Sequence, residues 1–153
     1  MKNRFKLIPA AYLFMVSDGK ILLLRRANTG YGDGNWSVPA GHLDGDEPAT
    51  MATVREAKEE IGLDIQAGDL GLVHIMHRCG TEGDDWKDNE RIDLFFSLAK
   101  WSSEPVNCEP NKCDALTWFP LHGLPENVIP YIRSAIEAFQ AGEVYSEQAW
   151  PQI

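Results

Sequence analysis

Apolar and polar positions alternate in blocks that predict a strand-rich chain with two helices. Leu7 to Val16 is mostly apolar, Ser17-Asp18-Gly19-Lys20 supplies turn residues, and Ile21 to Leu24 is apolar again before Arg25-Arg26. This pattern predicts a β-hairpin with a buried face. Gly30, Gly32 and Gly34 mark a loop from Asn28 to Asn35, and Trp36-Ser37-Val38-Pro39 leaves it as a short strand. Between Pro48 and Ile61 the apolar spacing becomes helical, with Pro48 suited to the first turn and Gly62 to the residue just past the end. Leu70 to Met76, Ile92 to Ala99 and Leu116 to Phe119 read as further strands, separated by an acidic, glycine-containing loop at Gly80 to Glu90 and by Ser102 to Asp114. A second helix is expected from about Val128 to Ala141, stopping at Gly142.

Strands outnumber helices and are joined mainly by loops, so a mixed sheet covered by two helices fits better than a doubly wound parallel sheet. No repeat, low-complexity segment or linker interrupts the pattern, and residues 1–153 are expected to form one domain. With 44% hydrophobic and 24% charged residues, a chain of 153 residues can bury a single core.

Composition narrows the functional classes. No run of eighteen apolar residues occurs, and the N-terminal stretch lacks a small-residue cleavage site, so a soluble, unexported protein without a membrane partner is expected. The three cysteines, Cys79, Cys108 and Cys113, are too few for a disulfide framework and fit a reducing cytoplasm. With His74 and His77 they raise the alternative of a zinc site, but no pair has CxxC spacing, and half-buried strand residues are the simpler reading. A net charge of −9 argues against binding a nucleic-acid polymer through its phosphates. A phosphorylated small ligand would need a metal ion to supply positive charge.

The segment from Gly41 to Leu63 offers a place for that ion. On a helix, Glu56, Glu59 and Glu60 stand at i, i+3 and i+4, so three carboxylates share one side while Val54, Ala57 and Ile61 face the sheet. Like charges so placed repel unless a cation lies between them. Mg²⁺ or Mn²⁺ takes such oxygen ligands and completes its shell with substrate phosphate oxygens. The alternative is an acidic face in contact with solvent.

The flanking residues favour the metal. Gly41, Glu47 and Arg55-Glu56-Ala57-Lys58-Glu59-Glu60-Ile61-Gly62-Leu63 resemble the Nudix box, Gly-x5-Glu-x7-Arg-Glu-U-x-Glu-Glu-x-Gly-U, with U a bulky aliphatic residue. All seven fixed residues match in register, a coincidence on the order of 10⁻⁸ per starting point for residues of average abundance. Ala57 departs from the pattern, being smaller than the family's residue. The hairpin, Trp36 to Pro39 and Trp118 to Leu121 extend the similarity beyond the box.

The resemblance implies an α/β/α sandwich of the α+β class, with a mixed sheet flanked by helices. It further implies that Glu56, Glu59 and Glu60 hold the metal or activate water, that the backbone carbonyl of Ala40 joins them, and that Arg55 and Glu47 pair to fix the loop. Gly41 and Gly62 take structural roles, and Arg55 could alternatively form a surface pair with Glu59. Glu104 or Glu109 is expected to add a further ligand or general base, with Glu104 favoured because Trp101-Ser-Ser-Glu104-Pro105 resembles a loop of the MutT-like branch.

Substrate hints are fewer. Similarity to the MutT-like branch implies that Arg26 contacts substrate phosphate and that Asn127 reads a purine edge. The alternatives are an exposed strand-end arginine and a helix N-cap before Val128. Tyr31, Trp86 and Trp101 could stack on a base or complete the core, and the Gly30 to Gly34 loop lacks the lysine of a P-loop. The expected activity is hydrolysis of the diphosphate linkage of a nucleotide derivative, with a (d)NTP the first class. ADP-ribose or a nucleotide sugar is the alternative, and a catalytically silent nucleotide sensor a further one. The family's habit of dimerising makes a homodimer a state to consider, although nothing in the sequence fixes it.

Overall fold

The computed structural model describes residues 2–79 and 89–150. Eight strands and two helices follow in the order β1 (Ile8–Ser17), β2 (Lys20–Arg26), β3 (Trp36–Ser37), β4 (Ala40–His42), α1 (Ala49–Ile61), β5 (Leu70–Arg78), β6 (Arg91–Leu98), β7 (Cys113–Pro120), α2 (Pro130–Ala141) and β8 (Tyr145–Gln148), with a 3₁₀ turn at Ala67–Asp69.

β1 organises the sheet. It runs parallel to β6 over its whole apolar stretch, from Ile8 opposite Arg91 to Met15 opposite Leu98. Its first half also pairs antiparallel with β4, and its last residues turn back into β2. β2 carries β3 and β7, while β6 continues into β5 and β8, giving one mixed sheet. The unbroken apolar run of β1 follows from burial on both faces. Tyr12 and Phe14 pack into a cluster with Phe95, Ile132 and Ile136 under α2, whereas Leu13 and Met15 pack with Ala57, Ile61 and Leu98 under α1. The expected layered architecture is therefore present.

Two helix starts differ from expectation. Pro48 sits one residue before α1 with extended backbone (φ −64°, ψ 152°), so it precedes the first turn and does not occupy it. α2 begins at Pro130, two residues later than expected, because Val128 and Ile129 are spent on the core and Ile129 N–H donates to Trp36 O. Both C-termini follow the prediction. Gly62 (φ 70°) and Gly142 (φ 73°) adopt the left-handed conformation that closes each helix.

β4 and β8 were not foreseen, being three and four residues long without an apolar run. The acidic segment expected as a loop falls mainly at residues 80–88 and lies outside the described residues, as does Trp86. Among the described residues, no helix is long and apolar enough to cross a membrane.

Candidate active site

α1 is held against β4 by its glutamates. The backbone N–H of Ala40 donates to Oε2 of Glu60 at 2.9 Å, drawing that carboxylate down between helix and strand. Glu56 lies over the next residue so closely that a Cβ on Gly41 would fall 2.0 Å from its Oε1, and only glycine leaves room. Glu59, at the exposed edge, faces the same cavity as Glu56 and Glu60.

Arg55 fastens the preceding loop to the helix. Its guanidinium donates to both carboxylate oxygens of Glu47, at 2.8 and 3.3 Å, to Oε1 of Glu56 at 2.6 Å, and to the carbonyl of His42 at 3.2 Å. Asp44 and Glu59 lie at 3.3 and 3.6 Å. The Glu47 pair and the Glu59 contact foreseen as alternatives coexist, and Arg55 spans a carboxylate cluster instead of forming one surface pair. Its hydrogen bonds with Glu47 and Glu56 raise its pKa, while those with Arg55 and Asp44 lower that of Glu47.

A fourth carboxylate joins from another segment, and it is Glu109, not Glu104. The carbonyls left unpaired at the end of α1 accept from the following loop, Glu60 O from Cys108 N–H and Ile61 O from Val106 N–H, each at 3.0 Å. Asn107 then braces the turn, donating through Nδ2 to Cys113 O and accepting at Oδ1 from Glu109 N–H. This route delivers Glu109 to the cavity beside Glu56, Glu59 and Glu60. Glu104, the candidate favoured by sequence, lies before the first of these bonds, is solvent-exposed and does not line this cavity. Gly62 belongs to the same junction, where a Cβ would meet Cys108 Sγ at 2.9 Å.

The cavity has a volume of about 430 Å³. Burial pushes the pKa of Glu60 up to about 8, and the charges of Glu56 and Glu109 push in the same direction against the Ala40 hydrogen bond. Burial also raises Glu56, although Arg55 opposes the shift. Among the described residues, no three His, Cys, Asp or Glu side chains close to ligand spacing around one point. Four mutually repelling carboxylates on one wall nevertheless suit a hard divalent cation, whose charge would offset both repulsion and burial. The four carboxylates with the Ala40 backbone on the same wall offer oxygen donors that fit Mg²⁺ or Mn²⁺ better than zinc, while the Cys113 thiol, which also lines the cavity, donates to Ala115 O.

A second cavity, of about 480 Å³, shares Arg26, Ala40 and Gly41 with the first and extends to Tyr12, Arg78 and Tyr131. Arg26 borders both. Its Nε and Nη2 donate to Tyr31 O at 2.8 Å and Thr29 Oγ1 at 3.0 Å, so it is an anchored residue at the junction and not a loose strand end. The Gly30 to Gly34 loop is closed on itself by Asp33, which accepts from Thr29 and Gly30.

Asn127 does not cap α2, whose N-cap is Ile129. Its Nδ2 donates to Gly34 O at 2.8 Å and its carbonyl accepts from Trp36 N–H, so it ties two loops together, off both cavities and away from the start of α2. Tyr31 lines the second cavity, whereas Trp101 stacks on Trp118 against the α1 core. His74 is buried and engaged by Glu143 O and Ser146 Oγ, and His77 meets Glu90. Cys79 and Cys113 are buried and Cys108 is exposed. Sequence reasoning missed Tyr12, Arg78 and Tyr131, whose polar tips emerge from elements that read as core.

Comparison with known proteins agrees with this geometry. A model of the NUDIX domain matches residues 6–139. The chain is 28% identical over 104 residues to an 8-oxo-dGTP diphosphatase of Proteus vulgaris, covering 68% of this chain and 86% of that protein. It is 29% identical over 85 residues to a MutT-like protein of Streptomyces ambofaciens, covering 50% of this chain and spanning about half of that relative's length, 53%. The crystal structure of a MutT NUDIX hydrolase from Burkholderia pseudomallei superimposes with a TM-score of 0.66 at 28% identity, over 86% of this chain and 97% of that one. With the domain model spanning most of its length, and the box residues gathered between α1 and β4, the chain belongs to the Nudix family.

Proposed function

We propose that this protein is a Mg²⁺- or Mn²⁺-dependent pyrophosphohydrolase that cleaves the diphosphate linkage of a small nucleoside diphosphate derivative. The observation that carries the reading is the gathering of Glu56, Glu59, Glu60 and Glu109 on one cavity wall, with Glu60 buried enough to hold a proton near neutrality when no cation is present. A (d)NTP is the first substrate class, supported by the MutT-like and 8-oxo-dGTP diphosphatase relatives. ADP-ribose or a nucleotide sugar is the second, favoured by the size and arginine lining of the adjoining cavity. A catalytically silent sensor is disfavoured because every glutamate of the box is retained.

In this reading Glu56, Glu59, Glu60 and the Ala40 carbonyl hold the cation, with Glu109 as the further carboxylate. A divalent cation there supplies Lewis-acid polarisation of a phosphoryl oxygen and activates water for in-line attack. Water adds to one phosphorus, one P–O bond of the linkage breaks, and the cavity's carboxylates take the released proton. Arg55 and Glu47 position this wall. Their bonds to Glu56 and to the backbone at His42 fix the separation of α1 and β4 on which the wall depends. Arg26, at the mouth of both cavities, is placed to steady a substrate phosphate.

The test is release of phosphate or pyrophosphate with Mg²⁺ across canonical and oxidised (d)NTPs, ADP-ribose, nucleotide sugars and dinucleoside polyphosphates. Turnover that disappears in EDTA supports the reading. Silence across the panel with Mg²⁺ and with Mn²⁺ would count against it.

A further inference from the structure

The second cavity has an uneven charge that the hydrolytic site does not use. Among the described residues on its wall, the charged side chains are Arg26, Arg78 and Arg91. Among the described residues Arg78 has one carboxylate partner, Asp93, which is fully buried and bonded to Arg78 Nε. Arg91 Nη1 donates to Nε2 of His42 at 3.0 Å, a contact in which the imidazole accepts and which supplies Arg91 with no carboxylate. Tyr12 and Tyr131 share a hydrogen bond at 3.2 Å, and burial raises both phenols, so neither contributes negative charge. Among the described residues, two guanidiniums of this wall thus stand against one carboxylate partner, with Arg26 held nearby by Tyr31 and Thr29, in a chain of net charge −9.

The geometry is also fixed in advance. Asp93 holds one edge of Arg78, and the guanidinium lies 3.6 Å from the centre of the Tyr131 ring, which orients its planar fork. A fork so held loses little entropy on engaging a planar or tetrahedral oxyanion. A neutral ring edge would meet the same donors without offsetting the surplus charge.

We propose that this cavity receives a second anionic group of the substrate, a carboxylate or phosphate carried beyond the diphosphate, and that Arg78 and Arg91 are the residues that read it. The inference rests on the hydrolase reading only for seating the diphosphate over the glutamates. Within that reading it moves the weight from a plain (d)NTP to a nucleoside diphosphate joined to an acidic or phosphorylated moiety.

Two matched pairs test it by calorimetry, with Ca²⁺ replacing Mg²⁺ to hold turnover down. UDP-glucuronate against UDP-glucose isolates a carboxylate, and NADPH against NADH isolates a phosphate. The anionic member of at least one pair is expected to bind about tenfold more tightly, and the favoured pair identifies the source of the charge. Arg91→Met, at a half-buried position, should erase the difference, and Arg78→Lys, which keeps the charge but loses the fork, should reduce it. Equal affinities within both pairs, a difference that survives Arg91→Met, or no binding by any of the four overturns the proposal. Metal-dependent turnover of a (d)NTP alongside equal affinities would overturn it while leaving the hydrolase reading intact.

Discussion

Gly41 of β4 and Glu56 of α1 fill one another's space, the carboxylate of one standing where any side chain of the other would be. Gly41→Ala therefore has to push the Glu56 carboxylate, and with it the Arg55 bond, out of place. The change should destabilise the protein by about 1–3 kcal/mol and lower metal-dependent turnover by at least about a hundredfold. Urea unfolding and steady-state kinetics measure the two effects separately, and a Gly41→Ala variant with undiminished turnover would refute the packing account.

Glu60→Gln keeps the volume and the partner of the Ala40 N–H but removes the charge. Turnover is expected to fall by about three orders of magnitude, with the circular dichroism spectrum unchanged. Calorimetric titration with Mn²⁺ should show the corresponding loss of binding.

Glu109 and Glu104 give a paired comparison. Glu109→Gln should reduce activity by about tenfold or more, and Glu104→Gln should leave it unaltered, because only Glu109 reaches the cavity wall. The reverse ranking in kcat/KM would restore the candidate favoured by sequence.

Stability of the metal-free protein should fall as pH rises. Glu60 has an ordinary value of 4.5 and a folded value of about 8, so between these limits the native state binds a proton that the unfolded chain releases. The stabilisation is fully present below about pH 4.5 and lost as pH passes through about 8, a change on the order of a few kcal/mol. Melting curves in EDTA from pH 5 to 8.5 should show the decline, Glu60→Gln should flatten it, and saturating Mg²⁺ should reverse it.

How much of this was legible in the sequence depended on where the information sat. The box announced itself because its chemistry and its helix periodicity coincide in one segment, Glu47 to Leu63. β1 was legible because burial on both faces leaves an uninterrupted apolar run. β8 was not, since Tyr-Ser-Glu-Gln pairs through its backbone at a sheet edge and carries no apolar signature. Glu109 was named but ranked below Glu104 for a related reason. Its position is set by carbonyls at the end of α1 that recruit the amides of Val106 and Cys108, a tertiary bond pattern invisible to spacing along the chain. Asn127 misled because a short amide before a helix commonly caps it, whereas here its bond to Gly34 crosses between loops.

Arg78 and Asp93 offer a stability prediction independent of catalysis. Arg78→Met leaves a buried carboxylate without its partner and should cost about 3–5 kcal/mol. Adding Asp93→Leu should recover much of that loss, because removing both charges also removes their desolvation penalty. Non-additivity in a double-mutant cycle measures the coupling, and additive losses would contradict it.

Two of the three residues of β4 act as a shared partition. Ala40 and Gly41 border a cavity walled by carboxylates on one side and one lined by arginines on the other. On the proposed reading, with a cation among the carboxylates, an elongated anionic molecule laid across that partition would meet metal and oxygen ligands at one end and guanidiniums at the other, so its two possible directions would differ in energy before any bond is broken. A diphosphate with inequivalent substituents would then present one phosphorus to water in preference to the other, a regiochemistry readable by ¹⁸O incorporation into one product and not the other.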